Sequence, residues 1–307
     1  MTRLTILLLL LASALLAAEP PIPCRIAYLA KVHYAPVMVA QADGLFARAG
    51  LAVEPVVVGP GSGILAAEAL ATGAADVAAM GDGPIIISTT RDPLPVFLGV
   101  YVAAERQHRL VARPGVAVAA PADLVGKRVA VHHGSSTHAG LLLLLRRHGL
   151  SGQVTLINLN PKDMADALRA GQADIAAASD PIPDLILRKL VGATPAGDLA
   201  GLGTDFPYGL VVARRWAEAN PDGCRRLLQA VEGACAAITA EPERTTALVA
   251  AVTKDSPADT RTWMGRCQWS LRPPEAVMPG LELLAQALGD AGGLAKPARL
   301  RAAAVLP

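Results

Sequence analysis

Residues 67–82 and 165–180 carry nearly the same string, AEALATGAADVAAMGD and ADALRAGQADIAAASD, identical at nine of sixteen positions at a constant offset of 98. Alanine-rich composition inflates such a match. Its informative part is Leu-x-x-Gly-x-Ala-Asp followed by an aspartate six residues later. The surroundings repeat as well. A β-rich run at 25–29 leads to a helix at 36–49 closed by Gly50-Leu51, a strand at 53–58, a helix capped by Ser62 and ended by Gly73, and a strand at 76–80. The second copy reads 128–131, a helix from Ser136 closed by Gly149-Leu150, 154–158, a helix opened by Pro161 and ended by Gly171, and 174–178. Glycine takes the left-handed cap at each helix end, and β-branched runs make the strands. Two such units predict an α/β protein of two lobes, each a mainly parallel sheet flanked by helices. Ligands of such sheets bind beyond the carboxyl ends of the strands. The loops 30–35, 81–84, 132–138 and 179–181 all fall there.

Between the copies lie an apolar strand at 96–102 and an irregular passage through Arg113-Pro114-Gly115. Beyond Pro207 the run 208–213 reads as one more strand, and the pattern is helical from there to the end. At 307 residues, 52% hydrophobic and 18% charged, the chain suits a compact globular protein rather than a disordered one. A net charge of +2 without a basic run makes nucleic acid an unsuitable partner. Residues 1–18 run from Arg3 through an apolar stretch to Ala17-Ala18, the form of a secretory signal peptide, so a periplasmic location is expected. Pro23 before Cys24 argues against lipid attachment there. Four cysteines, Cys24, Cys224, Cys235 and Cys267, allow three pairings. Cys224 and Cys235 fall on one predicted helix about 16 Å apart, too far to bridge each other.

The helix start at Ser136 carries the chemistry. It leaves backbone N–H groups unpaired at the positive end of the helix dipole. Ser135 or Ser136 can cap one or two, and no acid occupies the first turn. Gly134, Ser135, Ser136, Thr137 and His138 thus compose an anion site, with ordinary capping as the bland alternative. Asp82 and Asp180 follow cleft-facing strands at matching positions. Asp76 and Asp174 sit at strand starts, away from the cleft, in structural positions. Four of the six histidines, His33, His132, His133 and His138, fall on the two loops that open the repeats. If they converged they could donate to an oxyanion or hold a metal. No nucleophilic triad, phosphate loop or zinc-protease helix is present.

In order and spacing, GLFARAGLAVE, AAEALATGAADVAAMGDGP, LVGKRVAVHHGSSTHAGLLLLLRRHGL, ALRAGQADIAAASDP and YGLVVARRWAEANPD resemble the periplasmic substrate-binding proteins of ABC importers for nitrate, sulfonates, taurine and thiamine precursors. Gly81-Asp82-x-Pro84 and Gly134-Ser135-Ser136-x-His138 are most similar to the aliphatic sulfonate-binding branch. The resemblance implies a type II periplasmic-binding-protein fold, with lobe one at 25–110 plus 210–307 and lobe two at 111–209, joined by two crossings and closing on ligand. It implies a non-enzymatic, monomeric protein without cofactor or resident metal, which delivers a small organic anion to an ABC permease and ATPase. The ligand residues it implies are His33, Tyr34, Gly81, Asp82, Gly134, Ser135, Ser136, Thr137, His138, Asp180 and Tyr208. Ser179 departs from the aromatic residue that the family often has before Asp-Pro. The alternatives are a pyrimidine (thiamine-precursor) binder, a pyrimidine-synthase-like enzyme of the same fold, whose cysteine motif and cofactor lysine are not recognisable here, and a histidine-rich binder of a metal or metal chelate.

Overall fold

The structure is a computed structural model in which residues 20–59 and 63–305 are described. The expected signal segment, the turn at Pro60-Gly61 and the Ser62 cap lie outside the described residues. Eleven strands are described: β1 Ile22–Leu29, β2 Leu51–Val58, β3 Val77–Gly81, β4 Val96–Ala103, β5 His108–Ala112, β6 Arg128–Val131, β7 Thr155–Asn158, β8 Ile175–Ser179, β9 Thr194–Asp198, β10 Tyr208–Val212 and β11 Gln268–Arg272. They form two sheets, in the orders β11-β4-β10-β3-β1-β2 and β7-β6-β8-β5-β9, with helices packed on their faces.

The internal repeat is visible as two equal triplets. β2-β1-β3 and β7-β6-β8 are each parallel, with Ile26 opposite Val77 in one and Val129 opposite Ile175 in the other. Each residue of the repeated motif has a physical job. Leu70 and Leu168 are buried under their helices, Gly73 and Gly171 turn the chain at φ +76° and +67°, and Ala75 and Ala173 are buried. The aspartates then brace the next layer. Asp76 accepts the backbone amide and guanidinium of Arg25 at 2.8–3.1 Å, and Asp174 does the same for Arg128 at 3.0–3.1 Å. These pairs tie the start of β3 to the middle of β1 and the start of β8 to the start of β6.

The sheets are mixed rather than mainly parallel, because the chain changes sheet twice. β4 ends at the same edge as β1 and β3, crosses through residues 104–107, and enters the second sheet with His108 opposite Ser179, the last residue of β8. A chain that crosses from the carboxyl end of one sheet to the carboxyl end of the other must run antiparallel to its new neighbours. β9 returns through residues 199–207 in the same way, placing Tyr208 opposite Gly81. The irregular passage expected after β4 is therefore the crossing plus β5, and His108–Leu110 belong to the second sheet, ahead of the 110/111 boundary. β9 and β11, both edge strands, interrupt stretches without strand signals. The helix expected over 36–49 is broken at Gly44, in the left-handed conformation, into Ala35–Ala42 and Leu45–Arg48. All four cysteines are free thiols, three of them buried. No described helix is long and apolar enough to cross a membrane.

Candidate ligand-binding site

The carboxyl ends of the two sheets face each other across a small cavity of about 30 Å³. One wall is the start of the Ser136–Arg147 helix. Ser135 is its cap: the Ser135 hydroxyl accepts from the His138 amide at 3.2 Å and donates to the His132 carbonyl at 2.6 Å. Ala139 already bonds to the Ser135 carbonyl. The Ser136 and Thr137 amides are left without an intrahelical partner, and no acid stands in the first turn. Both residues line the cavity.

The opposing wall is built from β3, β10 and the loop after β1. The Asp82–Ser88 helix begins directly at the end of β3, where only a turn was expected from sequence. Gly83 lies so close to the second sheet's helix that a Cβ there would sit 2.7 Å from the Ser135 carbonyl carbon and the Ser136 nitrogen. Its amide donates to the Asp82 carboxylate at 2.6 Å and the Ser136 hydroxyl at 3.3 Å. The Tyr208 ring stacks on His33 at 5.0 Å and meets the edge of Tyr34 at 5.4 Å, while its hydroxyl donates to the Gln107 side-chain Oε1 at 3.0 Å.

Between these walls lies Lys31, whose ammonium donates to the Ser179 hydroxyl at 2.7 Å. Burial pulls its pKa down to about 8, opposed by the negative charge of Asp180 and by Cys267. His108 Nδ1 pairs with the Thr137 hydroxyl at 2.7 Å. Burial, reinforced by Lys31, holds His33 and His108 well below the ordinary imidazole range, so both are neutral at pH 7.

Of the residues expected from sequence, Tyr34, Gly81, Ser135, Ser136, Thr137 and Tyr208 line the cavity. His33, Asp82, Gly134 and His138 stand behind that lining. Gly134 at φ +77° turns the chain into the helix and donates its amide to His138 Nδ1. Asp82 is fully enclosed. Burial raises its pKa to about 7, against the hydrogen bonds of Ser136 and the Gly83 amide. Asp180 has a different role: equally enclosed, it is clamped by Arg109 at 2.5 Å and Arg266 at 2.7 Å and does not line the cavity. Asp184 joins the same cluster at 2.8 Å from Arg109 and 3.0 Å from Arg266, and accepts the Trp263 indole N–H at 2.8 Å.

The loop histidines do not converge. His33 lies with Tyr208, whereas His133 and His138 stack on each other at 4.5 Å. Burial and the neighbouring histidines lower the pKa of His138 to about 4. Among the described residues no group of three His, Cys, Asp or Glu side chains could hold a metal ion. The sequence reading missed Lys31, Gln107, His108 and Ser179. Lys31 and Ser179 sit on loops that were themselves expected at the cleft. His108 and Gln107 lie on a crossing whose strand was not legible.

The chain is similar to known proteins. The taurine-binding periplasmic protein of Escherichia coli K12 is 30% identical over 190 residues, 61% of this chain and 58% of its own length. A putative aliphatic sulfonates-binding protein of the same organism is 30% identical over 60% of this chain and 57% of its own. The match thus spans somewhat over half the length of each relative. Among solved structures, the alkanesulfonate-binding protein SsuA from Xanthomonas axonopodis pv. citri, bound to MOPS, superposes with a TM-score of 0.81 over 93% of this chain and 99% of its own at 23% identity, a likeness of fold. The family model described as NMT1/THI5 like matches residues 31–245, a span that takes in both crossings, the helix start at Ser136 and Lys31, and the chain belongs to that family.

Proposed function

We propose that the protein is an extracytoplasmic solute-binding protein that captures a small organosulfonate between its two sheets and delivers it, unchanged, to an ABC permease and its ATPase. The carrying observation is the unpaired amide pair of Ser136 and Thr137 on the cavity wall, with the Lys31 ammonium on the same cavity and no acid in the helix's first turn. A helix start of this kind favours a compact anion with several acceptor oxygens. A sulfonate brings three such oxygens and one charge. The cavity's small volume favours a short chain on the sulfur. The taurine and sulfonate relatives support the same ligand class.

Titration calorimetry on protein stripped of bound ligand tests the reading. Short alkanesulfonates should bind one per chain and be recovered intact. Replacing Ser136 with Ala removes the hydroxyl that takes the Gly83 amide and bonds Asp82, loosens the helix start that presents the two amides, and should weaken affinity roughly tenfold. Ser136→Asp sets a carboxylate against the anion and should abolish binding. An Asp variant that binds as well as the parent would sink the proposal, and so would turnover of the bound compound.

A further inference from the structure

Beside the helix start, the cavity lining carries one lysine. Lys31 carries three N–H donors, of which one goes to Ser179. The Gln107 amide nitrogen is enclosed without a partner, since only its oxygen is used, by Tyr208. His108 has Nδ1 on Thr137 and an enclosed Nε2 with no partner; both nitrogens of His33 are in the same position. Acceptors are scarce there. The Ser179 oxygen takes Lys31, and Asp180, the nearby carboxylate, already holds Arg109 and Arg266. Asp82 lies beside Ser136.

We propose that Lys31 is a specificity-determining residue that selects a sulfonate whose far end is itself an acceptor, a hydroxyl or carboxylate, and rejects one that ends in an ammonium. This rests on the sulfonate reading above and narrows it. A buried donor without a partner is costly, so a ligand that supplies acceptors to Lys31 and His108, which both line the cavity, recovers what the empty site lacks. An ammonium brings three more donors and a positive charge. A neutral imidazole can accept at one nitrogen only, and Lys31, mostly protonated at pH 7, repels the charge at short range in a poorly solvated space. The taurine terminus therefore meets the wrong chemistry in this chain.

A series of two-carbon sulfonates that differ only at the far end isolates the effect: sulfoacetate, 2-hydroxyethanesulfonate, ethanesulfonate and taurine, each titrated calorimetrically at pH 7. Sulfoacetate and 2-hydroxyethanesulfonate should bind at least tenfold tighter than taurine. In Lys31→Met the ratio of sulfoacetate to taurine affinity should fall by tenfold or more. Because the ratio is taken within one variant, a general loss of affinity cancels; Lys31→Gln serves as the second variant should the Met protein fold poorly. Taurine binding as tightly as sulfoacetate to the parent, or a ratio unmoved in both variants, overturns the role of Lys31 and leaves the sulfonate site standing. If none of the four binds, the sulfonate reading itself fails.

Discussion

Asp82 and Asp180 occupy the same place in the two halves of the repeat, six residues after a bracing aspartate, and live in opposite surroundings. Asp180 has two arginines; Asp82 has, among the described residues, no cationic partner, and one of its oxygens is enclosed without a hydrogen bond. Letters alone could not separate them, because the arginines come from β5 and from just before β11, far away in the chain. The consequence is measurable in stability. With a folded pKa of about 7 against 3.8 when exposed, Asp82 stays protonated in the fold at pH values where the unfolded chain has released its proton. Folding stability from this group is greatest at pH 4, falls as pH rises to 7, and is level above. At about 1.4 kcal/mol per unit the loss is of the order of 4 kcal/mol. Asp82→Asn keeps an oxygen for the Gly83 amide and carries no proton to lose. The variant should flatten the falling limb between pH 4 and 7 and melt several degrees higher than the parent at pH 8. Parallel melting profiles from pH 4 to 8 would contradict this account.

Among the elements, one contact that joins the two halves is the approach of the Asp82–Ser88 helix to the start of the Ser136–Arg147 helix. It exists because residue 83 has no side chain. An alanine Cβ would lie 2.7–2.8 Å from three backbone atoms of Ser135 and Ser136, and no rotamer relieves a clash with backbone. Gly83→Ala should push the helix starts apart, lengthen the bond from the residue 83 amide to Ser136, and weaken affinity for the proposed sulfonate about tenfold or more by misplacing the amides proposed to hold it. Melting should change little, since alanine is the better helix former by about 1 kcal/mol. Unaltered affinity by calorimetry would show that the approach does not shape the site. How well the elements could be read from sequence follows from their burial. The strands of the two triplets carry runs of alanine and β-branched residues and were legible, as was the helix start through its serines. β9, Thr-Pro-Ala-Gly-Asp, and β11, Gln-Trp-Ser-Leu-Arg, lie at sheet edges, where proline, glycine and polar residues are tolerated and the apolar signal fades. β5 opens with His108 and Arg109, both committed to the site and its ionic cluster, and function there erased the strand pattern.

At the scale of the whole molecule, the ionic cluster acts across the division expected between the lobes. Arg109, Asp180 and Asp184 belong to the second sheet and its helices; Arg266 and Trp263 come from the segment before β11 of the first. If the lobes divide as the two sheets do, hinging at the crossings 104–107 and 199–207, opening must draw Arg266 and Trp263 away and leave Arg109 alone with two carboxylates. The cluster is then a latch that holds the closed form. Arg266→Met removes one positive charge from around the fully enclosed Asp180. Stranding a buried charge costs about 3–5 kcal/mol, and the molecule escapes much of that cost by opening so that water reaches the carboxylates. Small-angle scattering should accordingly show a larger radius of gyration for ligand-free Arg266→Met than for the ligand-free parent. Saturating sulfonate should compact both, because on the proposed reading the ligand bridges the Ser136 amides and Lys31 at a different place in the cleft. Equal radii in the absence of ligand, with the variant folded by circular dichroism, would mean that the latch does not set the resting state.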